Sequence, residues 1–296
     1  MTFFSLTTGM PFCCERLLQR RRAMKHYYRV LTIAGSDSCG GAGIQADIKT
    51  MHSLGCYAMS AITAVTVQNT LGVSQVHGVP TVIVRGQIVA VLDDIGADAV
   101  KIGMLLTADN VACVAELLRT RNINNVVLDP VMVSTSGKRL LAEDAIGVMK
   151  EELFPLTRVI TPNLPEAELL LGGSIESDEE SMASAARELS ARFGTSVLLK
   201  AGHMEGDNLV DFFYDNEAKV LIELPSKRVE SRNTHGTGCT MSSAFASYLA
   251  KGWSLQDAAR GAKEYINNAI IRGADYEIGH GHGATFLFPS AETENK

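Results

Sequence analysis

A cysteine set between two glycines and a helix of small residues is the most reactive feature of the sequence. Asn233-Thr234-His235-Gly236-Thr237-Gly238-Cys239-Thr240 leads directly into residues 241–250. Glycines placed just before a helix leave its first N–H groups unobstructed. With the helix dipole, those donors form an anion hole suited to a phosphoryl group in transfer. Cys239 would lie in the first turn, where the helix N-terminus lowers a thiol pKa from its usual value of about 8.5. It could then serve as a base or a nucleophile. The competing reading is a buried structural cysteine, a common fate of this residue; the flanking glycines favour chemistry.

Two further segments carry ligand-type residues. Gly35-Ser36-Asp37-Ser38-Cys39-Gly40-Gly41-Ala42-Gly43 separates a strand-like run from a helical pattern that carries Asp47. Gly35 and Gly40 have P-loop spacing, but Gly41-Ala42 stands where Lys-Ser/Thr is required. The segment is a tight turn whose backbone can approach a ligand closely. Thr161-Pro162-Asn163-Leu164-Pro165-Glu166-Ala167-Glu168 offers Asn163 and Glu166, oxygen ligands of the kind that hold Mg²⁺. The same spacing also reads as a helix capping box, and spacing alone leaves both open. His280-Gly281-His282 reads as a glycine loop rather than a metal site, and the acidic run 176–180 as a solvated helix start.

The elements that must position these residues alternate in type. Strand-like runs at 30–33, 61–67, 99–102, 126–128, 158–161 and 197–199 are separated by helical stripes such as Val84, Ile88, Val91 and Ile95. A hairpin over 210–214 and 220–224 precedes helices over 239–251 and 255–272. This pattern predicts an α/β fold: a mostly parallel central sheet covered by helices on both faces, in one domain over residues 25–296. Ligands of such sheets bind outside the carboxyl ends of the strands, which directs attention to Asp37, Lys101, Asp129, Asn163 and Lys200.

Composition narrows the function. The chain has 296 residues, 46% hydrophobic and 20% charged, with a formal net charge of −6. That balance argues against disorder and against nucleic-acid binding, so phosphates must be met locally by backbone N–H groups, a metal ion and a few lysines. No apolar run is long enough to cross a bilayer. The six cysteines show no CxxC spacing and read as free thiols of a reducing compartment, the cytoplasm. Residues 1–24 differ from the rest and read as a loose extension or an early start ahead of Met24.

Taken in order, LTIAGSDSCGGAGIQADIKT, AVTVQNT, KIGM, LDPVM, TPNLPEAELL, LLKAGH and NTHGTGCT closely resemble the hydroxymethylpyrimidine/phosphomethylpyrimidine kinases of thiamine biosynthesis. These form a branch of the ribokinase-like superfamily, and the resemblance covers residues 29–286. It implies a ribokinase-like three-layer sandwich and ATP-dependent phosphorylation of a hydroxymethyl-pyrimidine, then of its monophosphate. It implies that Asp47 and Gln68 hydrogen-bond the aminopyrimidine, with Ala42, Thr66, Met104 and Val131 lining its pocket. Asp129, Asn163 and Glu166 would organise Mg²⁺ near the ATP phosphates. Lys200 would neutralise phosphate charge, alongside Asn163 and Thr237 on the nucleotide, and Gly236, Gly238 and Cys239 would supply the anion hole. A homodimer is also implied, and a monovalent cation remains an open addition. Cys39 departs from the small serine more usual at its position.

Three rivals stand against this reading. Pyridoxal or pyridoxine kinase is the nearest, because its substrate is also a flat heteroaromatic with a hydroxymethyl group. A cysteine-dependent hydrolase or transferase would use Cys239 with His203, His235 or His280, but the Gly-x-nucleophile-x-Gly elbow is lacking. A non-catalytic sensor would have lost catalytic groups, whereas Asp129, Asn163, Glu166, Lys200 and Cys239 are all present.

Overall fold

The computed structural model describes residues 26–132, 140–202 and 206–288. The expectations for residues 1–24 and for His203 lie outside that set. The chain begins with β1 (Tyr28–Asp37), α1 (Gly43–Ser53), β2 (Cys56–Asn69), β3 (Gly72–Gly78), α2 (Thr81–Asp94), β4 (Ala99–Ile102), α3 (Ala108–Arg121) and β5 (Val126–Leu128). It continues with α4 (Glu143–Val148), β6 (Val159–Ile160), α5 (Leu164–Leu171), α6 (Glu179–Phe193), β7 (Ser196–Leu199), β8 (Asn208–Asp215), β9 (Val220–Lys227), α7 (Thr237–Ala250) and α8 (Leu255–Gly273).

All strands join one nine-stranded sheet in the order β3-β2-β1-β4-β5-β6-β7-β8-β9. From β2 through β7 the neighbours are parallel; β3 and the β8–β9 hairpin run antiparallel at the two ends. Successive residues of the central strands feed opposite faces, as the pleat requires. Leu31, Val126, Leu128, Ile160 and Val197 pack with Val84, Ile88, Val114 and Leu189 on one side. Val30, Val127, Val159 and Leu198 pack with Met51, Phe245 and Ala259 on the other. Helices therefore cover both faces, which is the three-layer architecture expected. Side-chain caps fix several helix starts: Thr107 accepts from the Asn110 N–H, Asp178 from Ser181 and Ser254 from Asp257.

Some boundaries differ from the sequence pattern. β1 does not stop at Gly35 but reaches Asp37, after a register shift against β2 between Ala34 and Ser36. β3 has no clear sequence signal, because its Gly72-Val73-Ser74-Gln75-Val76-His77-Gly78 run is polar and glycine-bounded. It forms by pairing with the long β2. A π-helical turn over Met149–Leu153 follows α4 and was not foreseen either.

The chain leaves β1 toward β2 on one side and returns to β4 on the other, so the sheet's switch point lies between β1 and β4. Beneath that point is a buried ion pair. Lys101 on β4 and Asp47 on α1 are both fully buried, with Nζ 2.8 and 2.9 Å from the two carboxylate oxygens. Thr32 on β1 donates to Asp47 Oδ2 at 2.6 Å, and Ser243 on α7 donates to Oδ1 at 2.7 Å. One carboxylate thus ties together β1, β4, α1 and α7. Burial works against the Lys101 ammonium, but Asp47 outweighs it and holds the lysine above its ordinary range. Removing one partner strands the other charge in the core. Lys101→Met should therefore lose about 3–5 kcal/mol of stability in urea unfolding, and Asp47→Asn added to it should recover part of that loss. A loss below about 1 kcal/mol for Lys101→Met would contradict this account.

Candidate active site

The carboxyl ends of β1, β5, β6 and β7 deliver Asp37, Asp129, Asn163 and Lys200 to one edge of the sheet. The glycine loop before α7 closes over them. Gly236 adopts φ +82°, and a Cβ there would meet the Gly41 carbonyl oxygen at 1.8 Å. The two glycine loops thus touch backbone to backbone, and only glycine permits both the contact and the left-handed turn. Gly238 faces the charged pair: a Cβ would sit 3.1 Å from Asp129 Oδ2 and 3.2 Å from Lys200 Nζ.

Lys200 Nζ donates to Asp129 Oδ1 at 2.8 Å, and Thr161 Oγ1 donates to the same oxygen at 3.0 Å. Burial lowers the Lys200 pKa, but Asp129 and Glu166 more than offset it, so the ammonium stays charged. Asn163 and Glu166 form the capping box: Asn163 Oδ1 accepts from the Glu166 N–H, and Glu166 Oε2 from the Asn163 N–H, each at 2.9 Å. Burial pushes the Glu166 carboxyl up to about 7; Lys200 opposes the rise and Asp129 adds to it. The capping geometry engages the single side-chain oxygen of Asn163 and one of the two of Glu166, whose carboxyl also meets the Met132 backbone. Among the described residues no donor approaches Asp129 Oδ2, and no group of three or more His, Cys, Asp or Glu side chains is arranged to hold a metal.

Cys239 lies in the first turn of α7, and the Gly43 N–H at the start of α1 points at its sulfur. Two helix N-termini therefore meet at the thiol. The expected acidic thiol is nevertheless not what results. Burial pushes Cys239 up to about 11; Lys101 opposes this, while Asp47 and Asp129 reinforce it. Desolvation and two nearby carboxylates outweigh the favourable dipoles, so the resting group is the neutral thiol.

A cleft of about 650 Å³ runs along this edge. Ala42, Asp129, Val131, Asn163, Glu166, Lys200, Gly236, Thr237, Gly238 and Cys239 line it, which brings together most of the residues singled out above. Asp47, Thr66, Gln68 and Met104 are not on its wall. Asp47 has no exposed surface, and Lys101, Thr32 and Ser243 occupy its oxygens, so here it supports the site from below rather than facing a ligand. Thr66 and Met104 are nearly buried, Met104 lying against Gly35, and Gln68 is turned onto His235. The far end of the cleft was missed by sequence reasoning. There Lys263 on α8 pairs with Asp211 on β8 at 2.7 Å, beside Leu209, Ile266 and Ile270. A lysine on a helix face otherwise filled by Ala258, Ala259 and Ala262 was the available signal. His280-Gly281-His282 acts through its backbone: the Gly281 and His282 N–H groups donate to Thr70 Oγ1 and Thr70 O at 3.1 and 2.9 Å.

Comparison with known proteins agrees with this geometry. The chain is 50% identical over 276 residues to the thiamine biosynthesis bifunctional protein of Geobacter sulfurreducens, covering 93% of this chain and 55% of that longer protein. It is 48% identical over 258 residues to the hydroxymethylpyrimidine/phosphomethylpyrimidine kinase of Rhizobium meliloti, covering 87% of this chain and 96% of the relative. A solved Bacillus subtilis pyridoxal kinase, an ADP complex, superposes with a TM-score of 0.80 at 36% identity, over 90% of this chain and 98% of that one. The phosphomethylpyrimidine kinase model matches residues 37–286, from the aspartate that ends β1 to the segment that follows α8, and the chain belongs to that family.

Proposed function

We propose that the protein transfers a phosphoryl group from ATP to the hydroxymethyl oxygen of 4-amino-5-hydroxymethyl-2-methylpyrimidine, and a second onto the resulting monophosphate, in thiamine biosynthesis. The supporting observation is the meeting, in one cleft, of the Lys200–Asp129 pair, the glycine-opened N-terminus of α7 and Cys239. Phosphoryl transfer passes through a loose transition state, so positioning and charge stabilisation dominate. The first-turn N–H groups of α7 and the Lys200 ammonium supply positive potential where charge spreads over the transferring group. The adenine and ribose of ATP suit the apolar far end of the cleft, beside Ile266 and Ile270.

Mg²⁺ fits this site as an ion that keeps waters and phosphate oxygens, with Asp129, Asn163 and Glu166 as the protein groups around it; it would neutralise phosphate charge. With its thiol neutral at rest, Cys239 orients the hydroxymethyl oxygen and is not a pre-ionised base. The hydroxyl proton leaves late, as the new P–O bond forms and the bond to the ADP leaving oxygen breaks, and passes to an oxygen of the transferred phosphoryl group, as a loose transition state allows. The second transfer attacks through a phosphate oxygen that is already ionised and needs no such help. The four described cysteines, all free, are consistent with work in the reducing cytoplasm.

The likeness to a pyridoxal kinase favours a second reading, vitamin B6 phosphorylation by the same cleft. Product analysis with ATP, Mg²⁺ and the hydroxymethylpyrimidine separates the two. The expected result is monophosphate followed by diphosphate; turnover of pyridoxal with none of the pyrimidine would establish the rival. Cys239→Ala should lower kcat of the first transfer on the order of 10²-fold while leaving the second within about tenfold. Equal losses in both steps would show that Cys239 serves no step-specific role. Gly238→Ala crowds Lys200 and Asp129, so it should lower kcat of both transfers by at least about tenfold with the fold intact by circular dichroism.

A further inference from the structure

The chain enters the cleft from β7 at Lys200, and the root of that side chain is held from two sides. On the β6 side the Lys200 N–H donates to the Pro162 carbonyl at 3.0 Å, and Lys200 bridges Asn163 in parallel register. On the β8 side the ladder ends at Leu199, opposite Phe212. The next β8 residue toward the cleft is Asp211, and there a side chain replaces the ladder: Oδ1 accepts the Ala201 N–H at 2.7 Å. Ala201 has no exposed surface, so a buried donor depends on that oxygen.

Asp211 is itself held. Its Oδ2 accepts from Lys263 Nζ on α8 at 2.7 Å, and the two side chains are only 6% and 10% exposed. One carboxylate therefore has one oxygen on the backbone beside Lys200 and the other on α8. A buried ion pair adds little net stability over apolar groups of the same volume; its best-attested use is to specify which groups meet. The rest of this face of α8 packs through Ala258, Ala259, Ala262 and Ile266, which fill space without fixing a register. The Lys200 ammonium depends on the outcome. Its tip meets Asp129 Oδ1 at 2.8 Å, but a lysine carries its charge on a flexible four-carbon stem, so where the tip can reach is set by where the root is fixed.

We propose that Asp211 is a positioning residue: held by Lys263, its carboxylate fixes the backbone just after Lys200 and so keeps the Lys200 ammonium where charge spreads in the transition state. This rests on the function proposed above. A displacement of about 1 Å at such a group is enough to cost a large factor in rate.

Two double variants isolate the bond. Both remove the buried charges, and they differ only in whether position 211 can accept. The first, Lys263→Met with Asp211→Asn, keeps an oxygen for the Ala201 N–H; the second, Lys263→Met with Asp211→Leu, fills a similar volume without one. Exchanging a buried pair for groups of similar volume is often neutral, so both should fold. Amide hydrogen exchange at Ala201, followed by NMR without ligands, should be about tenfold or more faster in the second variant than in the first. Equal rates would overturn the proposal. In steady-state kinetics with ATP and the hydroxymethylpyrimidine, the first variant should keep kcat within about threefold of wild type. The second should lose about tenfold or more, with KM for the pyrimidine within about twofold in both. Added to Lys200→Ala, the second pair of changes should cost under about twofold more than the first, because the lysine it positions is gone. The full tenfold difference in that background would show that Asp211 does not act through Lys200. If the wild type phosphorylates no hydroxymethylpyrimidine, the proposed reaction fails, and the exchange measurement still decides whether Asp211 holds the chain beside Lys200.

Discussion

The Asp47 carboxylate accepts from residues on β1, β4 and α7 while itself belonging to α1, and the site is built above it. A buried charge is tolerated only when it is paired and its remaining lone pairs are filled. Asp47 meets that condition with Lys101, Thr32 and Ser243, and the requirement fixes the mutual position of four elements. Ser243 lies one turn after Cys239, so the register of α7 against the sheet, and with it the direction of its first N–H groups, is set from beneath. A hydrophobic substitute could fill the same volume but would not specify which turn of α7 meets β4.

Above this anchor, close backbone approach does the positioning. Gly236 against Gly41 brings the N-termini of α7 and α1 together at Cys239. Side chains at either glycine would separate the loops and open the cleft to water, which weakens every electrostatic interaction inside it. The C-terminal segment adds a second layer of the same kind. Gly281 and Gly283 lie so near Thr70 and Asn233 that a Cβ on either would overlap them, at 2.1 Å from Thr70 O and 1.9 Å from Asn233 Oδ1. That segment in turn supplies the carbonyl that seats His235. The glycines dismissed as an ordinary loop are thus part of the support of the site.

Much of this was legible in the sequence, for identifiable reasons. Short apolar runs separated by helical stripes disclosed the parallel strands, because buried β4 through β7 are hydrophobic on both faces. β3 was not legible, since an edge strand owes its existence to pairing rather than to its own residues. The chemistry-bearing loops stood out because glycine clusters beside helix starts serve few other purposes. What the sequence could not disclose was partnership. The resemblance gave Asp47 a place at the substrate, and nothing in a linear string shows that Lys101, Thr32 and Ser243 converge on it. Asn163 and Glu166 allowed a cap or a metal pair, and the structure uses at least the cap. Cys239 was misjudged in acidity for the same reason: the helix dipole is local and readable, whereas desolvation and the carboxylates of Asp47 and Asp129 are tertiary.

The acidity of the whole chain and the chemistry of its site are reconciled by distance. A net charge of −6 repels polyphosphates at long range, but exposed charges beyond a Debye length of about 8–10 Å are screened. The cleft is lined by the charged groups of Lys200, Asp129 and Glu166, by Lys227 and Arg228 and by the Lys263–Asp211 pair, with Lys101 and Asp47 neutralising each other below. Glu166 can shed its charge near neutrality, and Asp129 is balanced by Lys200. The Gly238 and Cys239 N–H groups in the first turn of α7 then add to the positive charge of Lys227 and Arg228 on the same wall. An anion entering the cleft therefore meets a positive helix terminus together with the cationic side chains of the wall, so a few local groups can override the sign of the whole protein.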